Sequence, residues 1–146
     1  MWMSERELRA RKMRVRSGEY WLPFLPDAYF EVVYPNGDVQ CVVVEIDMGT
    51  LTLRRFGRKV QAFETALDEG VFRRHFPDRE EFEVLVLTSS RRRLASLRQV
   101  AARVVHGGRH DLYHLATFDA LEPARFECAE WQDLDGQTVQ GVLYGY

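Results

Sequence analysis

The sequence predicts an α/β fold, a three-layer mixed sheet flanked by helices and closed by a C-terminal β-hairpin. Three observations carry that prediction. Two apolar runs flank Pro35-Asn36-Gly37, which is the pattern of a β-hairpin. From Thr50 onward Leu53, Phe56, Val60, Phe63 and Leu67 recur at alternating steps of three and four, one face of an amphipathic helix. "FEVLVLT", Phe82 to Thr88, is a continuous apolar run of the kind buried on both faces in mid-sheet, and a second helical stripe follows it.

Taken in order, the basic N-terminal stretch "MWMSERELRARKMRVRS" is expected to be helical, and the proline-rich "WLPFLP" after it to be an extended lead-in to the hairpin. Thr50 or Thr52 can cap the first long helix, and Gly70 can end it. Ser89 or Ser90 can cap the second, whose stripe is Leu94, Leu97, Ala101 and Val104 and whose stop is Gly107-Gly108. "LYHLATF" returns to the sheet, with right-handed connections expected between parallel strands. "FECAEWQDLDGQTVQGVLYGY" has Asp-Gly between alternating runs and reads as the closing hairpin.

With 146 residues, 46% hydrophobic and 29% charged, the chain suits one domain over 1–146, a basic segment at 1–20 and a core at 21–146. No apolar run approaches the roughly 20 residues that span a bilayer, and no signal-peptide stretch is present, so a cytoplasmic protein with no membrane contact is expected. Cys41 and Cys128 lie in strand-like segments without C-x-x-C spacing and read as apolar fillers. The net charge of −2 conceals an asymmetry. Residues 1–16 carry six basic side chains against Glu5 and Glu7, whereas from Asp111 onward seven acids face a single Arg125. That layout suits a protein presenting one face to a polyanion, although on charge alone ordinary solvated helix faces are the favoured reading. His106, His110 and His114 fall four apart, but Gly107-Gly108 breaks any helix between them and removes the metal-ligand spacing. There is no glycine-rich phosphate loop, Ser-His-Asp ordering or redox motif.

The hairpin places acids together. A three-residue loop wants proline first and a left-handed glycine last, and the resulting register pairs Phe30 with Val42, Ala28 with Val44 and Asp27 with Glu45. Ala28, Phe30 and Val32 then share an apolar face with Val42, Val44 and Ile46, expected to receive a helix layer. The other face holds Asp27, Tyr29 and Glu31 with Cys41, Val43, Glu45 and Asp47. Opposed carboxylates repel, and a divalent cation, proton sharing or plain solvation would each relieve them.

Pro26-Asp27 followed by Glu45-Ile46-Asp47 resembles the active-site frame of the PD-(D/E)XK nuclease superfamily. The longer string "LPDAYFEV...VVVEIDMGTLTLRRFGRKVQAF", then "FEVLVLTSSRRRLASLR" and "LATFDALEPARF...W...DG", is similar to the replication-relaxation family of plasmids and other mobile elements over about residues 22–143. The resemblance implies a restriction-endonuclease-like fold and action on DNA. Asp27, Glu45 and Asp47 would hold Mg²⁺ or Mn²⁺, and Lys59 on the helix would serve as the site lysine. Metal-dependent phosphodiester hydrolysis, by nicking of DNA, is the implied activity; the alternative is a non-catalytic DNA-binding or protein-interaction module that keeps the fold. Two departures stand out. Only 25 residues precede Pro26, where longer members carry a winged-helix region, so a partner protein supplying DNA recognition is a further expectation. Asp47 stands where the nuclease frame usually has lysine. Arg54 with Arg58, Arg55 with Lys59, and Arg91, Arg92 and Arg93 at the second helix start read either as solvated helix faces or as contacts to DNA phosphates.

Overall fold

The computed structural model describes residues 1–121 and 129–143; the expectations for Cys128 and Arg125 lie outside them. The chain forms a mixed seven-stranded sheet with helices packed on it. Its strands are β1 (Trp2–Ser4), β2 (Arg14–Ser17), β3 (Tyr20–Pro23), β4 (Ala28–Val33), β5 (Val39–Asp47), β6 (Glu83–Thr88), β7 (Tyr113–Thr117), β8 (Trp131–Gln132) and β9 (Thr138–Val139). Helices are α1 (Glu5–Ala10), α2 (Leu53–Asp68), α3 (Val71–His75) and α4 (Arg91–Val104). The sheet order is β1-β4-β5-β6-β7-β8-β9, with β2 and β3 paired apart from it. β5, β6 and β7 run parallel and the other pairs are antiparallel.

The β4–β5 turn follows its residues closely. Gly37 takes φ +92°, and Tyr34 N–H donates to the Asp38 carbonyl at 2.9 Å, so Pro35-Asn36-Gly37 is the three-residue loop. The ladder then runs from Val33↔Val39 to Ala28↔Val44, the expected register. β6 lies between β5 and β7, mid-sheet, and β8 and β9 form the closing hairpin with Trp131 opposite Val139.

Thr52 rather than Thr50 caps α2, its hydroxyl accepting Arg55 N–H at 3.2 Å, and Ser90 caps α4 by accepting Arg93 N–H at 3.2 Å. Gly70, at φ +64°, ends α2 and also opens α3, a helix the sequence pattern did not separate. The basic N-terminal stretch is helical only over α1. It otherwise supplies edge strand β1 and half of the β2–β3 ribbon, and its Met3, Leu8, Met13 and Val15 enter the main core.

The helices lie on the face that was not expected to receive them. Phe56, Val60 and Phe63 of α2 and Leu94, Leu97 and Ala101 of α4 share one core with Tyr29, Cys41 and Val43, the side of the hairpin that also bears the acids. The opposite side, with Val42, Leu85 and Ala116 at its centre, is packed by Ala129, Trp131 and Val142 of the C-terminal segment. Topology accounts for this. β5, β6 and β7 step across the sheet in one direction, so two connections of the same hand must place α2 and α4 on one face. Asp27, Glu45 and Asp47 occupy only the strand end and Glu31 is paired with Arg79, leaving the rest of that face apolar enough to bury both helices. Among the described residues no helix is long and apolar enough to cross a membrane.

Leu97 is fully buried, whereas Leu53, on the apolar stripe of α2, is 38% exposed at the helix start. Leu97→Ala is expected to destabilise the fold by about 2–5 kcal/mol and Leu53→Ala by less than about 0.5 kcal/mol, as measured by urea unfolding.

Candidate active site

β4 begins where β5 and β6 end, so Asp27, Glu45, Asp47 and Thr88 gather at one end of the sheet. Both α2 and α4 start from that same end, just after β5 and β6. In open α/β sheets the carboxyl ends of the parallel strands, with helix N-termini above them, are where ligands bind.

Asp27 lies just beyond the ladder. Its N–H donates to the Val44 carbonyl at 2.9 Å, and its Oδ2 accepts the Ile46 N–H at 2.7 Å, so it does not sit opposite Glu45 as a ladder partner. The two acids meet instead through Lys59, whose Nζ is 2.5 Å from Glu45 Oε2 and 4.0 Å from Asp27 Oδ1. Lys59 reaches them because Val60, its neighbour, points into the core and holds this face of α2 against β5.

Glu45 is 3% exposed, and its Oε1 is buried with no hydrogen-bond partner among the described residues. Burial pushes its carboxyl up from the ordinary 4.5 to about 8; the Lys59 charge opposes that rise and the Asp27 charge adds to it. One lysine therefore does not fully offset the cost of ionising Glu45.

Asp47 faces the same helices but does not join the other two acids. Arg93 clasps it through Nε at 2.8 Å and Nη2 at 3.0 Å, and Thr88 Oγ1 donates to Oδ2 at 2.8 Å. Burial would raise the Asp47 carboxyl, and the hydrogen bonds from Arg93 and Thr88 overcome that and hold it below the usual range. Arg93 Nη2 also donates to the Leu51 carbonyl, which ties the β5–α2 connection to the start of α4. Arg93 is thus an internal clamp, and of the six expected DNA-contacting arginines it is the one already engaged. Arg54, Arg55, Arg58, Arg91 and Arg92 are exposed and form no ion pair among the described residues.

Among the described residues no group of three or more His, Cys, Asp or Glu side chains is placed to hold a metal ion. The three histidines go separate ways: His106 contacts Asp68, His110 contacts Asp135 and His114 contacts Glu83. A polar network that no sequence motif announced is buried further along α2, towards the start of β7. Glu64 of α2, fully buried, accepts Tyr113 Oη at 2.8 Å and Arg109 Nη1 at 2.9 Å. Its signal was available, since an acid four residues after Val60 falls on the buried stripe and requires donors. Arg93 carried a similar signal, four residues before Leu97. Comparison with protein-family models, curated proteins and solved structures gives no match to this chain.

Because the folded state binds the Glu45 proton more tightly than the unfolded chain, its contribution is fully present below about pH 4.5 and is lost as pH rises through about 8. Glu45→Gln is expected to flatten that decline, measured as unfolding free energy across this pH range. Removing the partner of a buried charge is costly, so Arg93→Ala is expected to destabilise by about 3 kcal/mol. Adding Asp47→Asn to Arg93→Ala is expected to restore part of the loss in the same unfolding experiment.

Proposed function

We propose that this is a DNA-associated protein of the replication-relaxation type, whose Asp27, Glu45 and Lys59 form a PD-(D/E)XK-like site for Mg²⁺- or Mn²⁺-dependent phosphodiester hydrolysis. The observation that carries the reading is the convergence of a helix lysine on two strand-end carboxylates, one with an oxygen buried and unpartnered. The donor set fits the ion. Mg²⁺ takes carboxylate oxygens, commonly from one or two side chains, and completes its coordination with water and substrate phosphate. Asp27 and Glu45 would hold it, and Glu45 Oε1 is an acceptor awaiting a cation or proton. When bound, such an ion lowers the pKa of water and balances charge on the scissile phosphate.

The remaining work falls to residues of this chain. Lys59 keeps an ammonium beside both acids, from which it can donate to an attacking water or a phosphate oxygen. The exposed arginines at the starts of α2 and α4 lie at the same end of the sheet and supply sequence-independent attraction to the DNA backbone. Asp47 with Arg93 fixes the connection leading into α2 rather than serving as a third ligand.

A second reading, a non-catalytic module that binds DNA or a protein partner, is favoured by the way Lys59 and Arg93 already engage Glu45 and Asp47. Calorimetric titration with Mn²⁺, together with incubation of supercoiled plasmid, separates the two. The leading reading expects Mn²⁺ uptake and metal-dependent nicking, both lost in Asp27→Ala, with nicking also lost in Lys59→Met. Salt-sensitive DNA binding with neither uptake nor nicking would leave the module. In both readings, replacing Arg54, Arg58 and Arg91 by alanine is expected to lower the salt dependence of DNA affinity, by about 0.9 in log–log slope for each phosphate that is no longer neutralised.

A further inference from the structure

At the opposite end of the sheet a cleft of about 960 Å³ opens between the β4–β5 turn, the starts of β5, β6 and β7, and the residues after β9. Its lining includes Asp38, Glu81, Glu83, Asp111 and Asp133 and contains no lysine or arginine. None of these acids pairs with a lysine or arginine among the described residues; Glu83 is instead met by His114 and by Gln40 Nε2 at 2.7 Å.

His114 gives the second indication. It lines the cleft, is only 6% exposed, and its Nε2 lies 3.1 Å from Glu83 Oε2. The ring meets the carboxylate through Nε2 and keeps a second polar atom, Nδ1, which that contact does not use. That Nδ1 is buried without a hydrogen-bond partner among the described residues. The cleft is rich in carboxylate acceptors, and its lining holds no lysine or arginine to pair with them. It is far larger than a single ion needs, and Val39, Leu112 and Val139 add apolar surface suited to the aliphatic stems of lysine and arginine.

We propose that this cleft docks a lysine- or arginine-rich peptide segment of a partner protein. The acids provide charge complementarity, the unpartnered ring nitrogen of His114 marks a polar contact that the described residues do not fill, and the apolar lining takes the side-chain stems. The inference is independent of the nuclease-like reading, since it concerns the other end of the sheet.

The test is fluorescence anisotropy of a labelled oligoarginine peptide with the full chain at low and high salt. Glu81 and Asp111 are exposed, so Glu81→Gln/Asp111→Asn removes cleft charge without disturbing the core. The expected result is salt-sensitive binding, weakened about tenfold or more in that variant and unchanged in Glu5→Gln/Glu69→Gln, which removes two acids outside the cleft lining. Binding should also shift the ¹⁵N resonance of His114 Nδ1. Equal affinity in the cleft variant, an equal loss in the control variant, or binding of spermidine but not of the peptide would overturn the proposal.

Discussion

A carboxylate closed off from water inside an α/β layer is tolerable only with a cation or a proton against it, and Glu45 has Lys59. Much of the local geometry depends on that contact. Lys59 can reach Glu45 only if α2 starts immediately beyond β5 and lies with Val60 and Phe63 in the core. That start is fixed by the Thr52 cap and by Arg93, which spans Asp47 at the end of β5 and the Leu51 carbonyl. The same hydrogen bonds that place α2 therefore bring Lys59 to Asp27 and Glu45. Stability and the candidate chemistry share one set of residues, so the site is stiff where the lysine is delivered and unsatisfied at a single carboxylate oxygen.

The low net charge hides a molecule with two unlike ends. At the carboxyl ends of β5 and β6 stand Arg54, Arg55, Arg58, Arg91 and Arg92, with no ion pair among the described residues, and at the starts of β5, β6 and β7 stand acids without lysine or arginine partners among those residues. β5 is nine residues long, which separates the ends by about 26 Å at about 3.3 Å per residue, well beyond a Debye length of about 8 Å. The field at each end is therefore little cancelled by the other. Summed along the chain, the sequence looks nearly neutral; arranged on the sheet, it is polarised.

Local patterns were legible because they are fixed by neighbours in sequence. Pro35-Asn36-Gly37 set the register of β4 and β5, and the stripes of Phe56, Val60 and Phe63 and of Leu94, Leu97 and Ala101 located both long helices. The side on which those helices pack was not legible. It depends on the order of β5, β6 and β7 across the sheet, and the apolar face of the hairpin pointed the wrong way because the C-terminal segment covers it. In the site, Asp27, Glu45 and Lys59 were named in the sequence and are brought together, by contacts between residues 14 and more apart in the chain. The partnership of Asp47 with Arg93, 46 positions away, was invisible for the same reason: the stripe of Leu94 and Leu97 marks Arg93 as the arginine turned inward but does not say which acid it meets. Glu64, with donors from Tyr113 and Arg109, is a further case of long-range pairing that no local pattern encodes.

In the proposed site the three acids would divide the labour, Asp27 and Glu45 holding the ion while Asp47 stays clasped by Arg93. A crystal structure grown with Mn²⁺ and read by anomalous scattering tests that division directly. The expected result is one manganese peak bridging Asp27 and Glu45, with the Asp47–Arg93 pair intact. A peak on Asp47 with Arg93 displaced, or no peak in a crystal saturated with Mn²⁺, would contradict it.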